Sequence, residues 1–592
     1  MASRTKPRVL VLGLDGATWT LLDPLLAQNK LPTLGKLIQN GSRSLLRSCI
    51  QPSSEQAWSA FATGKQNGKF GLYGFYQRAK NSYALEYINA SHRRAVTLWR
   101  ILSERQKKCV VVNVPLTWPV EEINGALVSG LMTPGLQSQF TYPHELKNEL
   151  LRELGEYIID VDIERGKTEI GEIGEIVTRV RRMSELQTRA FEYLLEKNPD
   201  WDFGMVVHRA PDILCHKFWR YQDPTHPLYN EREAAQWGSV INDCFEYLDA
   251  FNARLLEKFV DENTTVIVLS DHGFGPLTHA VYLNQYFSQR GILAYKEQSS
   301  NTLSSALRAG VKRLNNPLIG ALKNKVFEAL PQLKSNLHYS MAYGNMDWAR
   351  TKAYAVGTMG NVYLNVRGRE PEGRLEIGDY EGARDEVIAA MRELRDPETS
   401  KPIFDFVYRR EEIYKGDALE DAPDVIGLID GPYHIAAVDW RGGNRNTKDA
   451  NGRENRERNA KAVVEKVGNE LLFVSDTSGQ HRMDGILIAN GAGIRYGTNA
   501  VSFPPRADPN AAASVRYTQP PNLIDLAPTI LQLFNEKIPD DMDGRVVSGL
   551  LADKRMAEYA PALNFENKMD GDYSAEEEKA IEERLAGLGY LG

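Results

Sequence analysis

The chain has 592 residues, more than one hydrophobic core usually serves, so one large domain carrying a sizeable insertion, or two domains, is expected. Its 42% hydrophobic and 25% charged residues are the balance of a soluble globular protein. A net charge of -7 and a pI near 5.9 leave no basic excess to neutralise phosphates, which argues against binding a nucleic-acid duplex.

In chain order, the first expected strand is the apolar run Val9–Leu14, which ends in Asp15-Gly16. That run is too short for a secretory h-region and is followed by no small-residue cleavage site. Two adjacent serines, Ser53 and Ser54, precede a helix-like stretch that closes at Thr63-Gly64. Further short, β-branched runs predict buried strands at Cys109–Val114, Phe203–Val207, Thr265–Ser270 and Gly485–Ala489. Longer helix-like stretches, among them Glu175–Glu196 and Val240–Phe259, lie between them. The alternation predicts an α/β fold with a largely parallel central sheet flanked by helices. In such sheets ligands gather at the carboxyl ends of the strands.

From about Tyr282 to Ile426 the rhythm breaks. A basic, helix-prone part (Leu303–Leu333) gives way to a strand-like part with Gly360, Gly368 and Gly373. The expected organisation is a core formed by residues 1–281 and 427–592, with 282–426 inserted as a cap-like subdomain. Asp439–Lys466 is poor in apolar residues and predicts a mobile loop with solvated charges. Ser574 and Glu577 make a capping box for an acidic final helix. Cys49, Cys109, Cys215 and Cys244 form no CxxC pair, and no apolar stretch is long enough to span a bilayer, so a cytoplasmic protein is expected.

Polar residues collect where strands end. Asp15 terminates VLVLGLD, Asp271-His272-Gly273 terminates TVIVLSD, and Asp212 with His216 follow FGMVVHRAP. The spacing of Asp212 and His216 puts both on one face if a helix begins there. His481 follows the strand-like LLFVS. Singly, each has an ordinary explanation, an Asp after a strand capping a helix or a His satisfied by polar neighbours. Together, carboxylates and imidazoles at one sheet edge form the donor set a borderline divalent metal takes.

These pieces resemble the alkaline phosphatase superfamily, and most closely its type I phosphodiesterase/nucleotide pyrophosphatase branch. The resemblance rests on GLDG at Gly13–Gly16, the Ser54–Gly64 segment, Asp212-x-x-x-His216, SDHGFGP at Ser270–Pro276 and His481-Arg482. NVPLTWP at Asn113–Pro119, DPTHPLY at Asp223–Tyr229, DLAPTI at Asp525–Ile530 and DMDGR at Asp541–Arg545 extend it. It implies two divalent metal ions, Zn²⁺ first and Mn²⁺ or Fe²⁺ as substitutes. Asp212, His216 and His481 would hold one; Asp15, Asp271 and His272, with the Ser54 hydroxyl, would hold the other. It also implies hydrolysis of a small phosphoester through a phosphoseryl intermediate. Counting back from Thr63-Gly64 as the family does selects Ser54 as nucleophile over Ser53.

The family often carries a phosphate-binding Asn where this chain aligns Phe75, which cannot donate that bond. Lys65 and Lys69 are candidate substitutes, though ordinary surface lysines are the favoured reading. Phe75, Trp58 and Tyr73 would suit a second ester group or a flat ring. Arg482 is the near candidate for the extra anionic oxygen of a phosphomonoester, which is the alternative substrate. A sulfatase is disfavoured because Ser54-Glu-Gln-Ala-Trp58 lacks the required Pro and Arg, and a non-catalytic binding protein because every ligand position is kept.

Overall fold

The computed structural model describes residues 6–79, 81–161, 170–296, 343, 345–436, 463–467, 477–497, 520–553, 555–563 and 571–588. The strands and helices that position the site are β1 (Arg8–Leu14), β2 (Gly41–Arg47), α1 (Ser54–Thr63), β3 (Cys109–Val114), β4 (Gly125–Ser129), β5 (Thr141–Tyr142), β6 (Phe203–His208), α2 (Ala210–Gln222), β7 (Thr264–Leu269), β8 (Gly273–Pro276), β9 (Gly479–Arg482) and β10 (Asp484–Gly491).

The central sheet has the order β2-β10-β7-β1-β6-β3-β4-β5. Its middle pairings, β7-β1, β1-β6, β6-β3 and β3-β4, are parallel; β2-β10, β10-β7 and β4-β5 are antiparallel. The sheet is therefore largely parallel, as expected, with antiparallel margins. Every residue of β3, β6 and β7 is buried, because helices cover both faces, and most of their side chains are accordingly apolar. The helix Ile170–Lys197 packs on β3 and β6, and Val240–Phe259 packs on that helix and on α2. The five strands expected from sequence appear within one or two residues of their predicted limits.

A second sheet is built from Ala353–Val356, Asn361–Leu364, Val425–Leu428 and Phe406–Arg409, in that order and antiparallel throughout. The helix Tyr380–Glu393 packs against it, and its apolar residues form a core separate from that of the main sheet. The strand Val425–Leu428 runs across the expected limit at 426/427. His279–Val281 pairs with Tyr433–Ile435 on one side and Val464–Lys466 on the other. Val464–Lys466 is thus a strand, not the end of a loop; its exposed charges masked a pairing set by a distant partner. The rest of the expected loop up to residue 462, the helix-prone Leu303–Leu333 and the LLFVS run lie outside the described residues. The capping box is present: Ser574 accepts from the Glu577 amide while Glu577 accepts from the Ser574 amide, and the helix Ala575–Leu588 follows. No helix among the described residues is long and apolar enough to cross a membrane.

Candidate metal centre

Three neighbouring strands deliver their carboxyl ends to one place. β1 ends at Asp15 and turns at Gly16, whose φ of +73° and contact with the Phe274 ring leave no room for a side chain. β6 ends at His208, and α2 begins one residue later, setting Asp212 and His216 one turn apart on a buried face. β7 ends at Leu269, and Asp271-His272 follow. His481 comes from far along the chain on β9, opposite Phe274 of β8. Ser54 is the first residue of α1 and is fully buried.

The three imidazoles are oriented alike. Nδ1 of His216 donates to the Gly479 carbonyl at 3.0 Å, Nδ1 of His272 to Gly273 at 3.0 Å, and Nδ1 of His481 to Pro52 at 2.8 Å. A carbonyl only accepts, so each Nδ1 carries a proton and Nε2 is the ring nitrogen turned inward. Those nitrogens converge: Nε2 of His216 and of His481 stand 2.9 Å apart, and Asp212 Oδ1 lies 3.1 Å from His481 Nε2 and 3.4 Å from His216 Nε2. Beside them, His272 Nε2 lies 3.6 Å from Asp15 Oδ1, 3.4 Å from Asp271 Oδ2 and 3.3 Å from the Ser54 hydroxyl, which is also 3.3 Å from Asp15 Oδ1. The Ser53 hydroxyl instead donates to Glu55.

Burial sets the charges. It pushes His272 down to about 4 and, with His272 adjacent, His481 down to about 3, so both rings are neutral. Burial and the neighbouring Asp212 carboxylate push Asp271 up to about 7, and burial with Asp271 and Asp212 raises Asp15. Burial opposes ionisation of Asp212 too, but His216, His481 and Arg209 outweigh it and hold that carboxylate well below its usual range.

The arrangement fits divalent cations. The neutral His272 and His481 rings turn Nε2 toward a cluster of buried carboxylates, an arrangement that a cation stabilises, and Asp271 Oδ2 is buried with no hydrogen-bond partner. Two groups of three donors, Asp212/His272/His481 and Asp15/Asp271/His272, each lie within 4.8 Å of one another. All seven residues expected from sequence meet here, with His272 between the two halves.

The family model for type I phosphodiesterase / nucleotide pyrophosphatase matches residues 9–455, about three-quarters of the chain. The chain belongs to this family. It is accordingly a hydrolase of phosphoester bonds, built on the alkaline phosphatase-like fold that its motifs imply. His481 and the motifs beyond it lie outside the matched stretch, and folding alone carries His481 to the other residues of the cluster. Among solved structures the chain is similar to human ectonucleotide pyrophosphatase / phosphodiesterase 5, at 12% identity and a TM-score of 0.46 over 92% of this chain and 100% of that one. It is also similar to phosphonoacetate hydrolase from Sinorhizobium meliloti 1021 in complex with phosphonoformate, at 14% identity and a TM-score of 0.50 over 90% and 97%. At such identity the likeness is one of fold. No curated protein sequence matches the chain.

Several accessory expectations for this phosphodiesterase-family chain are corrected. Lys65 pairs with Asp541, and the part-exposed Lys69 with Asp543 at 2.8 Å, so both tie the segment after α1 to the DMDGR turn and neither is a free surface lysine. Phe75 packs into the main core, Tyr73 donates to the Ala418 carbonyl at 2.7 Å, and Trp58 is fully buried, its indole N–H donating to Asp15 Oδ2 at 3.0 Å. None of the three offers a ring to a ligand. The cleft beside His481 is lined instead by Gln51, Met359, Leu428, Tyr433 and Gln480, three of them from the segment after the main sheet's first half. Arg482 donates to the carbonyls of Gln480, His481 and Pro276, a structural role. The sequence reading missed Arg209 and Asp160, because nothing local distinguishes a buried Arg before a helix from an exposed one.

Proposed function

We propose that this phosphodiesterase-family chain hydrolyses phosphodiesters at a two-cation centre, through a phosphoseryl intermediate on Ser54. The observation that carries the reading is the convergence of three backbone-locked imidazoles and three carboxylates around the Ser54 hydroxyl. Asp212, His216 and His481 would hold one ion and Asp15, Asp271 and His272, with Ser54, the other. The N/O donors without thiolate favour Zn²⁺ and accept Mn²⁺ or Fe²⁺. Bound there, the ions supply Lewis-acid stabilisation of phosphoryl oxygens and favour the ionised serine hydroxyl.

The chain's own residues do the rest. α1 starts at Ser54, so its first amides and its dipole face the oxygens of an incoming phosphoryl group. Ser54 Oγ attacks phosphorus; the Oγ–P bond forms as one ester P–O bond breaks and its alcohol leaves. Water then displaces the serine oxygen and restores the hydroxyl. A diester is favoured over a monoester because Arg482, the nearest guanidinium in sequence, is committed to three carbonyls, and among the described residues no Lys or Arg lines the small hollow beside His481. All four cysteines are buried free thiols, which supports a reducing compartment such as the cytoplasm.

The experiment is elemental analysis with kinetics on bis-nitrophenyl and nitrophenyl phosphate at one pH. About two transition-metal ions per chain and a diester/monoester rate ratio above one are expected. A metal-free preparation at full turnover removes the two-cation reading, and a ratio well below one moves the assignment to phosphomonoesters.

A further inference from the structure

Arg209 lies between β6 and α2 directly beneath the centre, its side chain 1% exposed. Each guanidinium nitrogen faces a different carboxylate. Nη1 pairs with Asp160, Nη2 donates to Asp212 Oδ2 at 2.8 Å, and Nε lies 3.7 Å from Asp15 Oδ2. Asp212 and Asp15 belong to different halves of the site, yet both turn Oδ2 toward Arg209 and Oδ1 toward the imidazole Nε2 atoms. Trp58 holds Asp15 Oδ2 from the other side. A carboxylate engaged at Oδ2 has only Oδ1 left to offer and cannot rotate to chelate with both oxygens. Asp160, fully buried, is not among the proposed ligands and anchors the far end of the guanidinium.

We infer that Arg209, anchored by Asp160, is a positioning residue that fixes the single-oxygen presentation of Asp15 and Asp212 together, so that the two cation sites form as one unit; this rests on the two-cation reading above. An arginine is required, because its planar fork hydrogen-bonds Asp160 and Asp212 at once while its charge stands beside Asp15, and a compact ammonium does not span them. Its charge also offsets part of the repulsion among Asp15, Asp160, Asp212 and Asp271 before any ion arrives.

The test is calorimetric titration of the chelator-stripped protein with Zn²⁺. Arg209→Met combined with Asp160→Asn removes the pair together, so that Asp160 is not left as a buried charge without its partner. This double variant is expected to keep the wild-type circular dichroism and to bind both ions 10- to 100-fold more weakly, the range set by outer-shell groups. His216→Ala, by contrast, weakens one ion more than the other. Arg209→Lys, with charge but no fork, recovers only part of the loss. Asp160→Asn alone, which keeps the guanidinium but loosens its anchor, shows a smaller loss at both ions and serves if the double variant does not fold. Wild-type affinity at both ions in a folded double variant, or in Asp160→Asn, overturns the inference and leaves Arg209–Asp160 a structural pair. A wild-type protein that binds no Zn²⁺ has a different signature: it removes the two-cation reading and this inference with it.

Discussion

Ser53 and Ser54 are adjacent, both buried, and chemically identical, so only geometry separates them. Ser54 Oγ lies 3.3 Å from both Asp15 Oδ1 and His272 Nε2, while the Ser53 hydroxyl is engaged with Glu55. Ser54→Ala should therefore cost roughly a thousandfold or more in turnover, as loss of a nucleophile does, and Ser53→Ala should stay within about tenfold of wild type. Steady-state kinetics on bis-nitrophenyl phosphate decide this, and the reverse ranking would move the nucleophile to Ser53. Arg482 makes the converse case, a residue that looks functional from its place beside His481 and is bound to three carbonyls instead. Arg482→Ala should lower the melting temperature by stranding those acceptors, a loss of about 1–3 kcal/mol, and leave the diester/monoester rate ratio unchanged. A changed ratio in a protein of unchanged stability would give Arg482 a role in substrate choice.

At the scale of elements, the site depends on how closely α1 approaches β1. A Cβ on Gly13 would stand 2.7 Å from the Trp58 ring and 2.9 Å from Val207, so the strand admits the helix only because this position has no side chain. Gly13→Ala should push Trp58 off, release Asp15, and lower both melting temperature and Zn²⁺ content, whereas Gly135→Ala, with nothing within 4 Å of its Cβ, should change neither. Wild-type Zn²⁺ content in Gly13→Ala would mean that Trp58 does not hold Asp15 in place. The same closeness explains what the sequence let one read. β1, β3, β6 and β7 are buried on both faces, so they appear as mostly apolar runs rich in valine, and the candidate site residues follow at the ends where such sheets collect ligands. β2, reading GSRSLLR, mixes buried and part-exposed positions and leaves no such run. Trp58 lies 43 residues from Asp15 and Arg209 lies 49 from Asp160, so their hydrogen bonds exist only once the sheet is assembled. An indole or guanidinium at such a position carries no local sign of its partner, which is why Trp58 reads as a ligand platform and Arg209 as nothing at all.

For the whole molecule, acid should be a stronger threat than the modest net charge implies, because several imidazoles are buried neutral. His208, at the end of β6, is the simplest of them: fully buried, with neither ring nitrogen hydrogen-bonded, and pushed down to about 4 by burial alone. His434 is likewise pushed down to about 4, chiefly by burial. In the unfolded chain a histidine titrates near 6.5. Between those values the unfolded state binds more protons than the folded one, so unfolding free energy rises with pH across the window. The stabilisation is complete above about pH 6.5 and is lost as pH falls toward 4. For His208 the loss between pH 7.5 and pH 5 is about 2 kcal/mol. His208→Leu removes the titrating group and strands no partner, so it should flatten that fall while leaving stability at pH 7.5 close to wild type. Urea midpoints at pH 7.5 and pH 5 measure it: the wild-type midpoint drops more than that of the variant. Equal drops would mean that His208 takes up no proton on unfolding in this range, and the acid sensitivity would then rest on His434, His272 and His481.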